Sequence, residues 1–270
     1  MPTRVGSLQN WTIAQKMTDI GSEFIIKLAE TEAELRAAQA LRYDVFVTEL
    51  GGSGALVDHQ AGLERDRFDP YFDHLLAIDR KSGETVGAYR LLRDDQAKAA
   101  GQFYSEDEYD LSVLKSSGRR LLELGRSCLH RDYRGGTVMY HLWNGLADYV
   151  LSHRIDILFG VASFHGTDPS TLAQPLSMLH LGHLAPPELR VRALPRHYQS
   201  MDLVAPDQLD RRAAMLAVPA LIKAYLRLGG FVGDGAFIDH DFNTTDICLV
   251  LDTEKMSARQ KRIYGGSART

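Results

Sequence analysis

Two cysteines in 270 residues, Cys128 and Cys248, are too few for a disulfide scaffold or a structural zinc site, and they fit a reducing cytoplasm. No run of about 18 apolar residues is present, so no transmembrane helix is expected. The N-terminus has no apolar signal core. Positive charge is not in excess: the formal net charge is -4, which argues against a general affinity for nucleic acid. There is no internal repeat and no low-complexity segment. What is there is an ordinary globular balance, 44% hydrophobic and 24% charged, in a chain long enough to bury a sizeable core.

Residues 1–21 are weakly patterned and read as a mobile arm. "EFIIKLAE" (23–30) reads as a strand. Residues 31–50 read as a helix, with Thr31 and Glu34 at capping-box spacing and Leu35, Ala38, Leu41 and Val45 at helical spacing. Residues 51–73 form a long glycine-bearing loop, of a length that is often functional in compact domains. Residues 74–93 read as a hairpin turning at Lys81–Gly83. A short helix (106–117), a strand (120–128), a helix (135–154) and a buried strand (155–164) follow. Asp168 is placed to cap a helix that begins at Pro169. Residues 182–206 are irregular, 211–230 read as a helix broken near Pro219, 244–251 as a last strand, and 255–270 as a basic, frayed tail. A leading hairpin followed by alternating strands and helices implies a mixed α/β sheet with helices on both faces.

Glu123 and Arg126 stand in an apolar strand that has no structural use for them. Three residues apart, they face opposite sides of a regular strand, so a direct pair is not expected. After the strand, Arg131, Arg134, Gly135 and Gly136 form a turn into a helix, where backbone N–H groups and guanidinium groups would meet a phosphate. The turn is not a Walker loop, because no Gly-Lys-Ser/Thr follows. His130-Arg131-Asp132 lacks the asparagine and the Asp-Phe-Gly of a kinase. "GGFVGDG" (229–235) has the wrong flanks for a dinucleotide loop. Cys128 and His130 share a strand face as a nucleophile–base pair would, although a buried filler cysteine is the simpler reading. His180 and His183 share a helix face, but no acid completes a site, so no metal is expected. The loop "ERDRFDPYFDH" gathers Glu64, Asp66, Asp69 and Asp73 with Arg65 and Arg67. It is either a site for a cationic substrate or a solvated loop with local ion pairs.

Seven stretches in one order are informative together: "LRYDVF" (41–46), "FDPYFDHLLA" (68–77), "GAYRLL" (87–92), "LELGRSC" (122–128), "YRGG…LWNGLADYV" (133–150), "LFGVASFHGTDP" (158–169) and "PALIKAYLRLGGFVGDGAFIDHDFNTTDICLVL" (219–251). They resemble the ornithine-lipid N-acyltransferase family, which is related to acyl-homoserine-lactone synthases and more distantly to GNAT acetyltransferases. The resemblance spans about residues 25–251. It implies a GNAT-like α/β fold, a mixed sheet splayed at its centre where thioester and acceptor meet. It implies one domain over 22–254, with 182–254 as a family-specific extension. It also implies transfer of a 3-hydroxyacyl group from acyl carrier protein to the α-amino group of L-ornithine, giving lyso-ornithine lipid. No tightly bound cofactor is implied; the carrier's acyl-phosphopantetheine is a co-substrate. Arg42, Phe46, Asp66, Asp69, Arg90, Glu123 and Arg126 match positions that recur in the lactone synthases. The CoA-binding pattern is imperfect from Arg131 through Arg134 to Gly136, which favours a phosphopantetheine donor held by Arg131, Arg134, Gly135 and Gly136.

Aminolysis of a thioester assigns provisional roles. Glu123 is the candidate base, and the N–H groups around Ser127 and Cys128 are candidates for the oxyanion. Arg90 or Arg126 would hold the α-carboxylate, and Asp66, Asp69 or Asp73 the side-chain ammonium. Three alternatives stay open: another amino acid as acceptor, a lactone synthase, and a non-catalytic carrier-binding protein. A lipophilic product implies peripheral contact with the inner face of the cytoplasmic membrane. The basic, apolar helix around 211–228 could make that contact or simply pack on the core.

Overall fold

The computed structural model describes residues 23–54 and 57–256. The arm expected over 1–21 lies outside the described residues, as does the tail beyond 256. The chain runs β1 (Phe24–Leu28), α1 (Glu32–Arg42), β2 (Asp73–Asp79), β3 (Thr85–Arg93), α2 (Asp94–Ala100), β4 (Tyr109–Asp110), α3 (Ser112–Lys115), β5 (Leu121–Leu129), α4 (Val138–His153), β6 (Ile157–His165) and α5 (Ala173–His183). It continues through β7 (Arg192–Ala193), β8 (Tyr198–Gln199), α6 (Arg211–Ala217), α7 (Ala220–Arg227), β9 (Phe231–Val232), β10 (Ala236–Asp239) and β11 (Thr244–Asp252). No helix among the described residues is long and apolar enough to cross a membrane.

The main sheet has the order β1-β2-β3-β5-β6-β11-β10-β8, with β9 added on β11. Every pairing is antiparallel except β5 with β6. That parallel pairing covers only Leu121–Glu123 against Ile157–Phe159, and then both strands continue apart. Gly160 sits where they part: a Cβ there would stand 2.1 Å from the Leu124 carbonyl oxygen. Gly160→Ala is therefore expected to lower stability by up to about 3 kcal/mol, because backbone must move to accept it. Urea unfolding checks this; an unchanged midpoint would mean that the fork is not held by close backbone approach.

Strand alternation sorts the core onto two faces. Leu122, Leu124, Leu158, Ala162, Leu249 and Leu251 join α4 and α7 on one face. Leu121, Phe159, Cys248 and Val250 join Tyr109 and Phe103 on the other. Helix α1 and the turns that follow it cover the second face further along, where Leu41 and Val45 pack on Leu76, Ala88 and Cys128.

The expected elements are present, with local differences. The capping box at Thr31 and Glu34 forms, but the helix widens into a π-helix over Tyr43–Glu49. The helix expected over 106–117 is split, because β4 pairs with β7. Asp168 is not a cap: its Oδ1 accepts from Ser170 N in a turn, and α5 begins four residues later than expected, at Ala173. The break at Pro219 divides α6 from α7. The C-terminal segment is integral to the sheet, since β11 pairs with β6 along nine residues.

Candidate active site

A cavity of about 260 Å³ opens at the fork between β5 and β6. It reaches both faces of the sheet, because Leu158, Ala162, Leu249 and Leu251 line it from one side and Arg90, Glu108, Glu123 and Asp246 from the other. The apolar half is closed by Leu221 and Tyr225 of α7, whose hydroxyl lies 2.7 Å from that of Tyr89.

Arginines and acids fill the wall between α1, the 51–73 loop and β3. Arg42 is fully buried; its Nε donates to Glu64 at 2.5 Å, and its two Nη atoms donate to Asp69, each at 2.9 Å. Arg90 Nη1 donates to Asp66 at 2.6 Å and to Asp69 at 2.9 Å. Gln39 Nε2 also donates to Asp69. Asp69 thus accepts from Arg42 twice, Arg90 and Gln39, which fills the acceptor positions of a carboxylate. The Arg42 and Arg90 guanidinium groups overcome burial and hold Asp69 well below the usual carboxylate range. Burial is likewise overcome at Glu64, which Arg126 and Arg42 bring down to about 2. Arg90 lies over the Phe72 ring at 4.3 Å, and its Nε and Nη2 are buried with no partner.

Arg126 carries a positive φ of 49° within β5. The register against β3 shifts at the same point, between Ala88 and Arg90. This is a β-bulge, and it resets the alternation so that Glu123 and Arg126 both line the cavity. The regular-strand expectation of opposite faces therefore fails here. Arg126 Nε donates to Glu64 at 3.1 Å, and its guanidinium stacks over Phe242 at 4.8 Å and Tyr104 at 5.0 Å. Phe46, carried inward by the π-helix, also lines the cavity.

Glu123 is buried and is not unpaired. Its Oε1 accepts from Ser105 N at 2.7 Å and from Ser105 Oγ, and its Oε2 accepts from Tyr104 N at 2.7 Å. Three donors leave about one acceptor position free. Burial raises the carboxyl to about 7, against the pull of Ser105, Tyr104 and Arg90.

Residues 41–144 match the acetyltransferase (GNAT) domain family. An L-ornithine N(alpha)-acyltransferase of Rhodobacter capsulatus is 61% identical over 244 residues, 88% of this chain and 93% of that one. One from Brucella abortus is 43% identical over 250 residues, 90% of this chain and 89% of that one. This chain belongs to the L-ornithine N(alpha)-acyltransferase family. The protein is thus an N-acyltransferase with a GNAT-like α/β fold. The crystal structure of the AHL synthase LasI aligns with a TM-score of 0.49 at 16% identity, over 93% of this chain and 98% of that one.

In this acyltransferase, Arg42, Phe46, Asp66, Asp69, Arg90, Glu123 and Arg126 come together around one cavity wall, although Arg42, Asp66 and Asp69 support it from behind. Ser127 lies in the bulge and lines the cavity. Cys128 does not. Its thiol packs against Ala38 and Leu41, and burial pushes it up to about 12, which removes it as a nucleophile. His130 N–H donates to Val86 O, so ladder alternation commits the Cys128 N–H to Ala88 and leaves it unable to serve an oxyanion. Asp73 lies elsewhere, bonded to Arg93 and Tyr149. The loop acids do not pair with their sequence neighbours either: Arg65 takes Asp58 and Arg67 takes Asp107. Arg131, Arg134, Gly135 and Gly136 form an exposed turn before α4, with Arg134 bonded to Glu49. None of the four lines the cavity.

Sequence reasoning missed Glu108, Asp239 and Asp246, which line the cavity on the side of Glu123. One signal was available. Asp246 interrupts the apolar run "TTDICLVL" as Glu123 interrupts "RLLELG".

Proposed function

We propose that the protein transfers a 3-hydroxyacyl group from the phosphopantetheine thioester of acyl carrier protein to the α-amino group of L-ornithine, giving lyso-ornithine lipid and free carrier thiol. The observation that carries this reading is one cavity with an apolar half and a polar half, joined at the fork of β5 and β6. The acyl chain fits the half formed by Leu158, Ala162, Leu221 and Leu249. The amino acid fits the other. Arg90 Nε and Nη2 are adjacent donors without partners, the fork that a carboxylate takes in two parallel hydrogen bonds. An α-amine has a pKa of about 8 and a lysine-like amine about 10.4, so the α-amine costs roughly 3 kcal/mol less to deprotonate. Glu123 takes that proton, directly or through one water. The amine attacks the thioester carbonyl, the C–S bond breaks, and the thiolate leaves with a proton. Ser127 N–H, placed in the bulge, is the remaining candidate for the oxyanion.

The relatives named as L-ornithine N(alpha)-acyltransferases support the acceptor. Mass spectrometry of products from a panel of amino acids with 3-hydroxyacyl carrier protein tests it; a product dominated by another acceptor would overturn it. The donor reading has its own test. Arg131 and Arg134 are exposed cations in the turn before α4, suited to an acidic carrier. Replacing both by Ala is expected to raise the donor's apparent KM by roughly 3–10-fold and to flatten its salt dependence. Equal efficiency with the matching acyl-CoA would contradict carrier specificity. A lipophilic product places the enzyme at the inner face of the cytoplasmic membrane by peripheral contact. Leu50, exposed and on the cavity wall, marks the side that would face the lipid. Helix α7 is committed to the core through Ile222 and Tyr225, so the contact does not fall on its apolar face.

A further inference from the structure

The reading above leaves the acceptor's side-chain ammonium without a seat. Asp69 is saturated, Asp73 is remote, and Asp66 is held by Arg90 and by two backbone N–H groups. A different group of acids is open. Glu108 precedes β4, Asp239 ends β10 and Asp246 lies near the start of β11. One carboxylate oxygen from each lies within 4.8 Å of the other two. Glu108 is 6% and Asp246 3% exposed. Glu108 Oε2 and Asp246 Oδ1 have no hydrogen-bond partner. A buried carboxyl oxygen without a hydrogen-bond donor is unfavourable, and a ligand that donates to it relieves that cost. Burial, with the neighbouring acids, raises Glu108 well above its usual range, and it raises Asp246 to about 6 against hydrogen bonds from Ser163 and Thr244.

A second orphan points the same way. Arg90, 1% exposed, turns its unpartnered Nε and Nη2 toward the same cavity, next to Gly125. Glu123 lines the same cavity, close enough to Glu108 and to Arg90 for their charges to interact. The cavity thus offers a fork for an anion, a proton acceptor and a separate seat for a cation. We propose that Glu108, Asp239 and Asp246 bind the side-chain ammonium of the acceptor and select amino acids that carry one, an inference that rests on the ornithine reading. Three carboxylates suit an ammonium, which has three donors. Calcium and magnesium ask for six or more oxygens, and the positive charge of Arg126 reaches Glu108.

The test compares ornithine with norvaline, which lacks the amine, in the parent enzyme and in Glu108→Gln, Asp239→Asn and Asp246→Asn. Each is assayed with 3-hydroxyacyl carrier protein by release of free thiol. The ratio of kcat/KM for ornithine over norvaline is expected to fall about 10–100-fold in each variant. A general loss of stability or of catalysis moves both amino acids together and leaves that ratio alone. Asp239 is half-buried, so its variant serves where a buried substitution impairs folding. Folded variants that keep the parent's ratio would overturn the site while the ornithine reading stands. A parent with no preference for ornithine would overturn both. Calorimetric titration of the parent with manganese chloride is the third arm: tight binding abolished by Glu108→Gln would make the cluster a metal site and end the proposal.

Discussion

Glu123→Gln is expected to lower kcat by about 10²–10⁴, the contribution of a positioned general base. Glu123 is held by Ser105 N, Ser105 Oγ and Tyr104 N, so its orientation is fixed before substrate arrives. It lines a cavity shared with Arg90 and Arg126. The carboxyl is raised to about 7 by burial, so its base form fills in as pH rises. The parent's kcat should climb through about pH 7, and the Gln variant should lack that limb. The same shift has a sign for stability. A folded pKa above the ordinary 4.5 means that charging this group opposes folding as pH rises through about 7, and Gln removes that penalty. Against this, the Gln amide would set its NH₂ opposite the Tyr104 N–H, which costs about 1–3 kcal/mol. Rates are therefore compared at a temperature where circular dichroism shows both proteins folded. Near-parental turnover in the folded variant would remove Glu123 from the chemistry.

Arg42→Met is expected to destabilise the fold by about 3–5 kcal/mol, because it takes from buried Glu64 and Asp69 the one cation that pairs with both. Arg42 touches no part of the cavity, so its role is to hold the acids that hold Arg90 and Arg126. Acid should mimic part of this loss. Glu64 and Asp69 have depressed folded pKa values, so they stabilise the fold above the ordinary carboxylate range. That stability is lost as pH falls from about 4.5 toward about 2. Urea unfolding at pH 7 and pH 3 measures both effects. The variant should lose less between the two pH values than the parent does. A variant with parental stability at pH 7 would show that the network is not needed to bury these charges.

The elements of the fold were legible where a single period decided them. Thr31 and Glu34 announced the start of α1, and apolar runs announced β2, β3 and β6. The short strands β4, β7, β8 and β9 were not legible. Each has two residues and exists only because a distant partner supplies its hydrogen bonds. The π-turn at Tyr43–Glu49 has no helical-period signature that separates it from α1, yet it brings Phe46 to the cavity.

The sequence by itself determined which residues were out of place: acids and arginines in apolar strands, visible at Arg90, Glu123 and Arg126 because burial of charge is unfavourable without a purpose. It could not pair them. Whether an acid on the 51–73 loop meets Arg65 one residue away or Arg90 on another strand depends on how loop and sheet pack, and local spacing carries no such information. Only the tertiary structure gave Asp69 to Arg42 and Arg90, turned Arg126 inward through a bulge, and committed Cys128 to the core. It also brought Glu108 to Asp239 and Asp246, which follow it by more than a hundred residues of chain. Periodicity is a property of neighbours along the chain, whereas a binding site is a property of neighbours in space.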